Sequence, residues 1–197
     1  MTNSDQTTIR AFIAINLPHE LKVSLGAFQR KLGSRVPSDW VRWTATEQIH
    51  LTLRFLGNVG AGAVPEITSA LHNVCAATKP FELSAENFGW FPEGNRPRVL
   101  WVGVAGQIDK LNELAGAVAA ATANWGESED RQFQAHLTIG RVKTKLPNDL
   151  RKLAEILHEF RPGTFGLWRV TNIDLMQSQL YPTGPVYSCL ATVPLGG

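Results

Sequence analysis

Apolar residues recur along this chain with two different periods, and the switches between them mark the elements. "IRAFIAINLP" (9–18) is a run of β-branched and aromatic residues stopped by Pro18, which predicts a strand. "HELKVSLGAFQRKL" (19–32) repeats apolar positions near every 3.6 residues and predicts a helix. "VPSDWVRWTATEQ" is a loop or short strand leading into "IHLTLRFLG" (49–57), where period two returns. "AVPEITSALHNVCAAT" predicts a helix with Pro65 in its first turn, followed by a strand over "FELSAENFGWF" and a turn over "PEGNRP". The same order then recurs. "RVLWVGV" (98–104) predicts a strand and "QIDKLNELAGAVAAATANW" (107–125) a helix. "FQAHLTIGRV" (133–142) predicts the next strand, and "LPNDLRKLAEILHEF" a helix with Asn148 or Asp149 as cap. Two strands, "TFGLWRVTNIDLMQ" and "GPVYSCLATV", close the chain.

Within "IHLTLRFLG", Ile49, Leu51, Leu53 and Phe55 fall on one face, and His50, Thr52 and Arg54 on the other. Alone, this is a half-buried strand with a wet side. "AHLTIGR" changes that, because His136 and Thr138 alternate with Leu137 and Ile139 in the same way. Phe12 precedes His50 by 38 residues and Val99 precedes His136 by 37, so like elements sit at like offsets. A duplicated βαβ-type unit follows. If the two units pack about a pseudo-twofold axis, both His/Thr pairs can line one groove. The wet face of these strands favours largely antiparallel sheets with one face free of helices, and α/β and α+β classes both remain open.

Composition narrows the functional classes. The 197 residues suffice for one domain or two small lobes, and 44% hydrophobic with 18% charged residues fits a packed globule. A net charge of +2 excludes a protein that coats polyanions with its whole surface, though not a local basic site. Cys75 and Cys189 stand in neither metal-binding nor redox spacing, which points to a reduced, cytoplasmic protein. "MTNSDQTTIR" has no secretory pattern, and no apolar run approaches the roughly 20 residues that span a bilayer.

Histidine exchanges a proton near neutrality, since its unperturbed pKa is about 6.5. A neutral imidazole can take a proton from a nucleophile while an opposite imidazolium gives one to the leaving group. Two threonine hydroxyls can donate to the non-bridging oxygens of a phosphate held between them. That set of groups suits in-line displacement at a phosphodiester, and no cluster of metal-ligating residues sits near either motif, so no metal is expected. The residues alone leave open which histidine is acid and which is base. His19, His72 and His158 fall in or beside helices, where surface placement is expected.

His50-Leu51-Thr52-Leu53 and His136-Leu137-Thr138-Ile139 resemble the paired HxTx motifs of the two-histidine phosphoesterases. "FIAINLP", "HLTLRFLG", "RVLWVGV", "HLTIGR" and "LMQSQLYPTGPVY" are similar, in order and spacing, to the bacterial and archaeal RNA 2′,3′-cyclic phosphodiesterases, also called 2′-5′ RNA ligases. The likeness runs from about residue 9 to 194. It implies an α+β fold that is a bilobal duplicated unit, two antiparallel sheets facing a central cleft with helices on the outer faces, and a single domain over 1–197. It implies that His50 donates a proton to the leaving 3′ oxygen and His136 accepts one from water, leaving a 2′-phosphomonoester. Run backwards, the same groups would join a 5′-hydroxyl in a 2′-5′ linkage without ATP. The partners implied are RNA ends carrying 2′,3′-cyclic phosphate, tRNA fragments among them, with no cofactor, no membrane and a monomeric protein.

Thr52 and Thr138 are the expected phosphate contacts. Arg141 matches the arginine that follows the second motif in that family, although strict alternation turns it away from His136 unless Gly140 bulges the strand. Arg54 shares the His50 face by alternation and is a second substrate-binding candidate, against a solvated strand end. Phe55 stands where the family presents an aromatic near the base, against simple core burial, and Phe12 faces the same choice. Tyr187 and Ser178 would border the cleft, and Trp43 is the tryptophan least safely assigned to the core. Two rival readings remain: a phosphoesterase of small cyclic nucleotides or 2′-5′ oligoadenylate, and a module that binds RNA ends without cleaving them.

Overall fold

The computed structural model describes residues 7–126, 132–182 and 184–196; the first six residues of "MTNSDQTTIR" lie outside these. The strands among them are β1 (Thr8–Asn16), β2 (Val41–Trp43), β3 (His50–Gly60), β4 (Phe81–Phe91), β5 (Val99–Gly106), β6 (His136–Val142), β7 (Thr164–Val170), β8 (Asn172–Tyr181) and β9 (Gly184–Pro194). The helices are α1 (His19–Gly33), α2 (Val64–Ala76), α3 (Ile108–Ala121) and α4 (Pro147–His158). Each helix forms where the 3.6 period is cleanest. Leu21, Leu25, Phe28 and Leu32 make the buried stripe of α1, and Ile67, Leu71 and Cys75 that of α2. Asn148 and Asp149 do not cap α4, which begins at Pro147 and carries both in its first turn.

Every strand pairing is antiparallel. The strands run in the order β7-β4-β5-β6-β3-β1-β8-β9, with β2 added to β6. The structure is thus an α+β fold whose nine strands form one continuous sheet rather than two separate ones, with two four-stranded halves, β3-β1-β8-β9 and β7-β4-β5-β6, that curl toward each other. They meet at one registered pair, Leu51 opposite Leu137. Both leucines are fully buried, in a cluster that runs continuously through the two lobes. Beyond this pair the strands diverge, and β2 takes over the edge of β6 at Gly140–Val142.

The repeat in the sequence and the lobes in space divide the chain differently. Helix α1 follows β1 but packs on β7, and α3 follows β5 but packs on β3, so each half lends its first helix to the other lobe. Strand β4 joins the lobe of β5 and β6, while β8 and β9 return to that of β1 and β3. The expected single strand "TFGLWRVTNIDLMQ" is therefore two strands, broken at Thr171, where the chain crosses between lobes. The break is visible as a phase slip: Trp168 and Val170 are buried, then Ile173 and Leu175. Helices cover one face of the curled sheet, and the other face is left open. No helix among the described residues is long and apolar enough to cross a membrane.

Leu51→Ala and Leu137→Ala are each expected to cost about 2–5 kcal/mol of unfolding free energy, measured by urea denaturation. Because the two oppose each other, the double variant should depart from the sum of the single losses. Strict additivity would show that the pair does not join the lobes.

Candidate active site

The open face holds a cleft of about 520 Å³ whose lining includes His50, Thr52, His136 and Thr138. The Leu51–Leu137 pair explains why. In an antiparallel ladder, continuing that register by one residue sets His50 opposite Thr138 and Thr52 opposite His136. Each histidine thus faces the other motif's threonine across a local twofold. The leucines point to the core and all four polar residues stay half-buried on the cleft side. Among the described residues neither threonine hydroxyl is tied up in a hydrogen bond, so both are free to donate into the cleft.

The imidazoles are held alike. His50 Nδ1 lies 2.7 Å from the Gln48 carbonyl, and His136 Nδ1 lies 2.8 Å from the Gln134 carbonyl. A carbonyl only accepts, so Nδ1–H donates and Nε2 is the nitrogen left to exchange protons. Burial lowers the pKa of both rings, against the pull of the carbonyl bonds. Nearby positive charge adds to the lowering: Lys22 and His136 at His50, and Arg141 at His136. Aromatic rings complete the packing. Phe12 and Tyr187 sit 4.9 and 5.2 Å from His50, and Phe91 meets His136 edge-on at 5.3 Å.

A bulge in each motif strand decides what comes next. In β3 the partners jump from Thr52 (opposite Ala14) to Arg54 (opposite Ile13), and in β6 from Thr138 (opposite Trp101) to Gly140 (opposite Leu100). The extra residues, Leu53 and Ile139, stand at the same offset from their histidines. Each bulge breaks the alternation, so the residue five after each histidine returns to the cleft. Those residues are Phe55 and Arg141, both exposed and both lining it. Arg141 thus reaches the cleft as anticipated, with the extra residue at Ile139 and Gly140 packed against Val41 and Trp43. The Ile139 carbonyl is held there by Gln29 Nε2 at 2.8 Å.

The same geometry removes Arg54 from the substrate face. Strict alternation fails at Leu53, so Arg54 turns inward and is only 6% exposed. Its Nη1 donates to the Ala119 carbonyl at 2.6 Å and to Thr122 Oγ1 at 2.7 Å, and Nη2 to the Trp125 carbonyl at 3.4 Å. Arg54 closes the C-terminal end of α3, where free carbonyls and the negative end of the helix dipole favour a cation.

Phe12 is buried, but in a small cluster with Ala14 and Met176 on the cleft side rather than in the main core. Tyr187, Ser178 and Trp43 line the cleft, while His19, His72 and His158 are exposed as expected. Cys75 is buried, Cys189 exposed, and both are free thiols. Among the lining residues that escaped the sequence reading are Arg10, Arg42 and Gln48. Gln48 matters twice, since its carbonyl holds His50 and its side chain donates to the Pro185 carbonyl at 2.9 Å, tying the last hairpin to the site. Only the alternation of Arg10 and Arg42 with apolar neighbours hinted at the first two. No group of three or more potential metal ligands occurs among the described residues.

The family model described as the 2'-5' RNA ligase superfamily matches residues 38–181. A protein of Archaeoglobus fulgidus named RNA 2',3'-cyclic phosphodiesterase is 34% identical over 92% of this chain and 98% of its own. One of Methanothermobacter thermautotrophicus, with the same name, is 32% identical over 91% of this chain and 95% of its own. Among solved structures, a Thermus thermophilus protein superposes with a TM-score of 0.79 at 28% identity, covering 96% of this chain and 99% of that one. Escherichia coli LigT complexed with 3'-AMP gives 0.78 at 24% identity over 97% of this chain and all of that one, a likeness of fold.

Arg54→Ala is expected to destabilise the protein by about 2–3 kcal/mol in urea denaturation, because it leaves buried carbonyls without a charged donor. Histidine NMR should find both cleft imidazoles protonated on Nδ1 when neutral and titrating below about 6.5. Either ring titrating above that value would contradict burial as the dominant influence.

Proposed function

We propose that this chain, which belongs to the 2′-5′ RNA ligase superfamily, opens RNA 2′,3′-cyclic phosphate ends with His50 as acid and His136 as base. The chain is a cyclic phosphodiesterase: relatives at 32 and 34% identity over nine-tenths of its length bear that name. The observation that carries the mechanism is the symmetric tie of both imidazoles to backbone carbonyls, which leaves two Nε2 atoms facing one cleft between two free threonine hydroxyls.

With the phosphate between the motifs, Thr52 and Thr138 donate to its non-bridging oxygens. Neutral His136 takes a proton from water as the water oxygen attacks phosphorus. The bond from phosphorus to the 3′ oxygen breaks, and His50 gives that oxygen its proton, so a 2′-phosphomonoester and a free 3′-hydroxyl remain. The assignment of roles follows the family resemblance, in which the first motif's histidine is the acid and the second motif's the base. Arg141 stands by His136 with no carboxylate partner among the described residues, and so disfavours the imidazolium there. Lys22, paired with the Glu47 carboxylate at 3.7 Å and donating to the Glu47 carbonyl at 2.8 Å, and His136 itself do the same at His50. Positive charge thus disfavours the imidazolium at both rings and does not rank one above the other as acid or base. Running the steps backwards joins a 5′-hydroxyl to the cyclic end. Both histidines come from one chain, so a monomer suffices, and tRNA fragments with cyclic ends are among the RNAs it would take. The cleft offers two imidazoles and no carboxylate among its described lining residues, which favours a reaction without metal.

His50→Ala and His136→Ala should each reduce turnover of a cyclic-phosphate oligonucleotide at least a hundredfold while circular dichroism stays native. Full activity in either variant would sink the two-histidine scheme, and loss of wild-type activity with EDTA would sink the metal-free one. Because burial lowers both imidazole pKa values, kcat/KM should form a bell whose two limbs are set below about 6.5. Above that range both rings are neutral and the acid is missing; below it both are charged and the base is missing. The kcat profile should shift to higher pH, because the bound phosphate anion favours the imidazolium.

A further inference from the structure

Three guanidinium groups line the cleft, those of Arg10, Arg42 and Arg141, and no Asp or Glu is among its lining residues. None of the three has a carboxylate within ion-pairing distance among the described residues. All lie close enough to Tyr187 to pull its phenol pKa down against the raising effect of burial. Arg42 and Arg141 stand directly opposite each other in the β2–β6 ladder. Like charges so placed destabilise a sheet unless something anionic lies between or beside them. The chain as a whole carries only +2, so this concentration is local.

The reacting group does not account for it. A cyclic phosphodiester brings one negative charge, as does each internucleotide phosphate. Arg141, beside His136, is placed to meet that charge, which leaves Arg10 and Arg42 unmatched. Their positions give an order along β1. Thr52 lies opposite Ala14, Phe55 opposite Phe12, and Arg10 comes next, opposite Asn58. Moving away from the histidines, the cleft thus presents a hydroxyl, then aromatic rings, then a guanidinium. A nucleotide chain presents the matching order: terminal phosphate, nucleoside, next phosphate.

We propose that Arg10 and Arg42 form a second anion site that takes the phosphate on the 5′ side of the terminal nucleotide, so that the enzyme distinguishes a strand end from a cyclic mononucleotide. This rests on the cyclic phosphodiesterase reading above. The second phosphate can come from a strand or from a 5′-phosphorylated monomer, and the two sources are separable.

Three substrates make the test: a nucleoside 2′,3′-cyclic phosphate with a free 5′-hydroxyl, the same with a 5′-phosphate, and a dinucleotide with the same cyclic end. In the wild type, kcat/KM should rise roughly tenfold or more with the 5′-phosphate and with the dinucleotide, since a charge-assisted contact is worth that much. Arg10→Ala and Arg42→Ala should each lose at least tenfold more on these two than on the 5′-hydroxyl monomer, mainly in KM, with folding checked by circular dichroism. Arg42→Lys, which keeps the charge, should recover part of the gain. The second readout needs no turnover: binding of a dinucleotide ending in a 2′-phosphate should lose about 0.7 from its log–log salt slope for each arginine removed. Equal losses on all three substrates, or no gain from the 5′-phosphate in the wild type, would overturn the second site. A gain confined to the dinucleotide would also overturn it, because recognition would then lie in the nucleoside. If no substrate is turned over at all, the phosphodiesterase reading fails, while the salt-slope measurement still decides whether the second anion site exists.

Discussion

Leu51 and Leu137 hold the two lobes in register, and the mutual placement of His50, Thr52, His136 and Thr138 follows from that one buried pair. Antiparallel pairing about it sets each histidine across from the other motif's threonine. The leucines supply the apolar burial that pays for bringing four polar side chains together on the opposite face. Because the strands diverge immediately afterwards, the cleft opens on both sides of the pair instead of closing into a continuous flat sheet. The exchange of α1 and α3 between lobes reinforces this joint, since each lobe is covered partly by a helix from the other half of the sequence.

The scaffold is symmetric and the chemistry is not. Both motif strands bulge at the third residue after histidine, and both return the fifth residue to the cleft. In one copy that residue is Phe55 and in the other Arg141, so equivalent backbone positions present an apolar ring and a cation. Inside the bulges the copies differ too. Arg54 is spent on the end of α3, while its counterpart is Gly140, packed under Trp43. This asymmetry gives the cleft a direction that two identical motifs could not supply, and it places a guanidinium beside His136 where the other copy has the Phe55 ring.

Burial disfavours the imidazolium form of both histidines, because desolvation penalises the charged form. A phosphate between them reverses that penalty for one ring. The carbonyl bonds at Nδ1 fix which nitrogen faces the substrate without committing either ring to a protonation state, so substrate charge can decide it.

The amino-acid order alone determined the strand and helix periods, the duplication, and the four residues His50, Thr52, His136 and Thr138, because a period-two strand with a repeated polar face is a local signal. It also placed Tyr187 and Ser178 beside the cleft through resemblance. It misleads where alternation is extended past a bulge: Arg54 falls on the wrong face, and Phe55 is left between cleft and core. A bulge is made by the partner strand and by groups such as Gln29, which holds the Ile139 carbonyl from 110 residues away. The break of "TFGLWRVTNIDLMQ" at Thr171 and the exchange of helices between lobes are likewise long-range decisions, as is the placing of Arg10, Arg42 and Arg141 around one cleft. What each strand looks like was written locally; which strands face each other, and which side chains a bulge turns outward, only the packed molecule could settle, because those depend on partners far away in the chain.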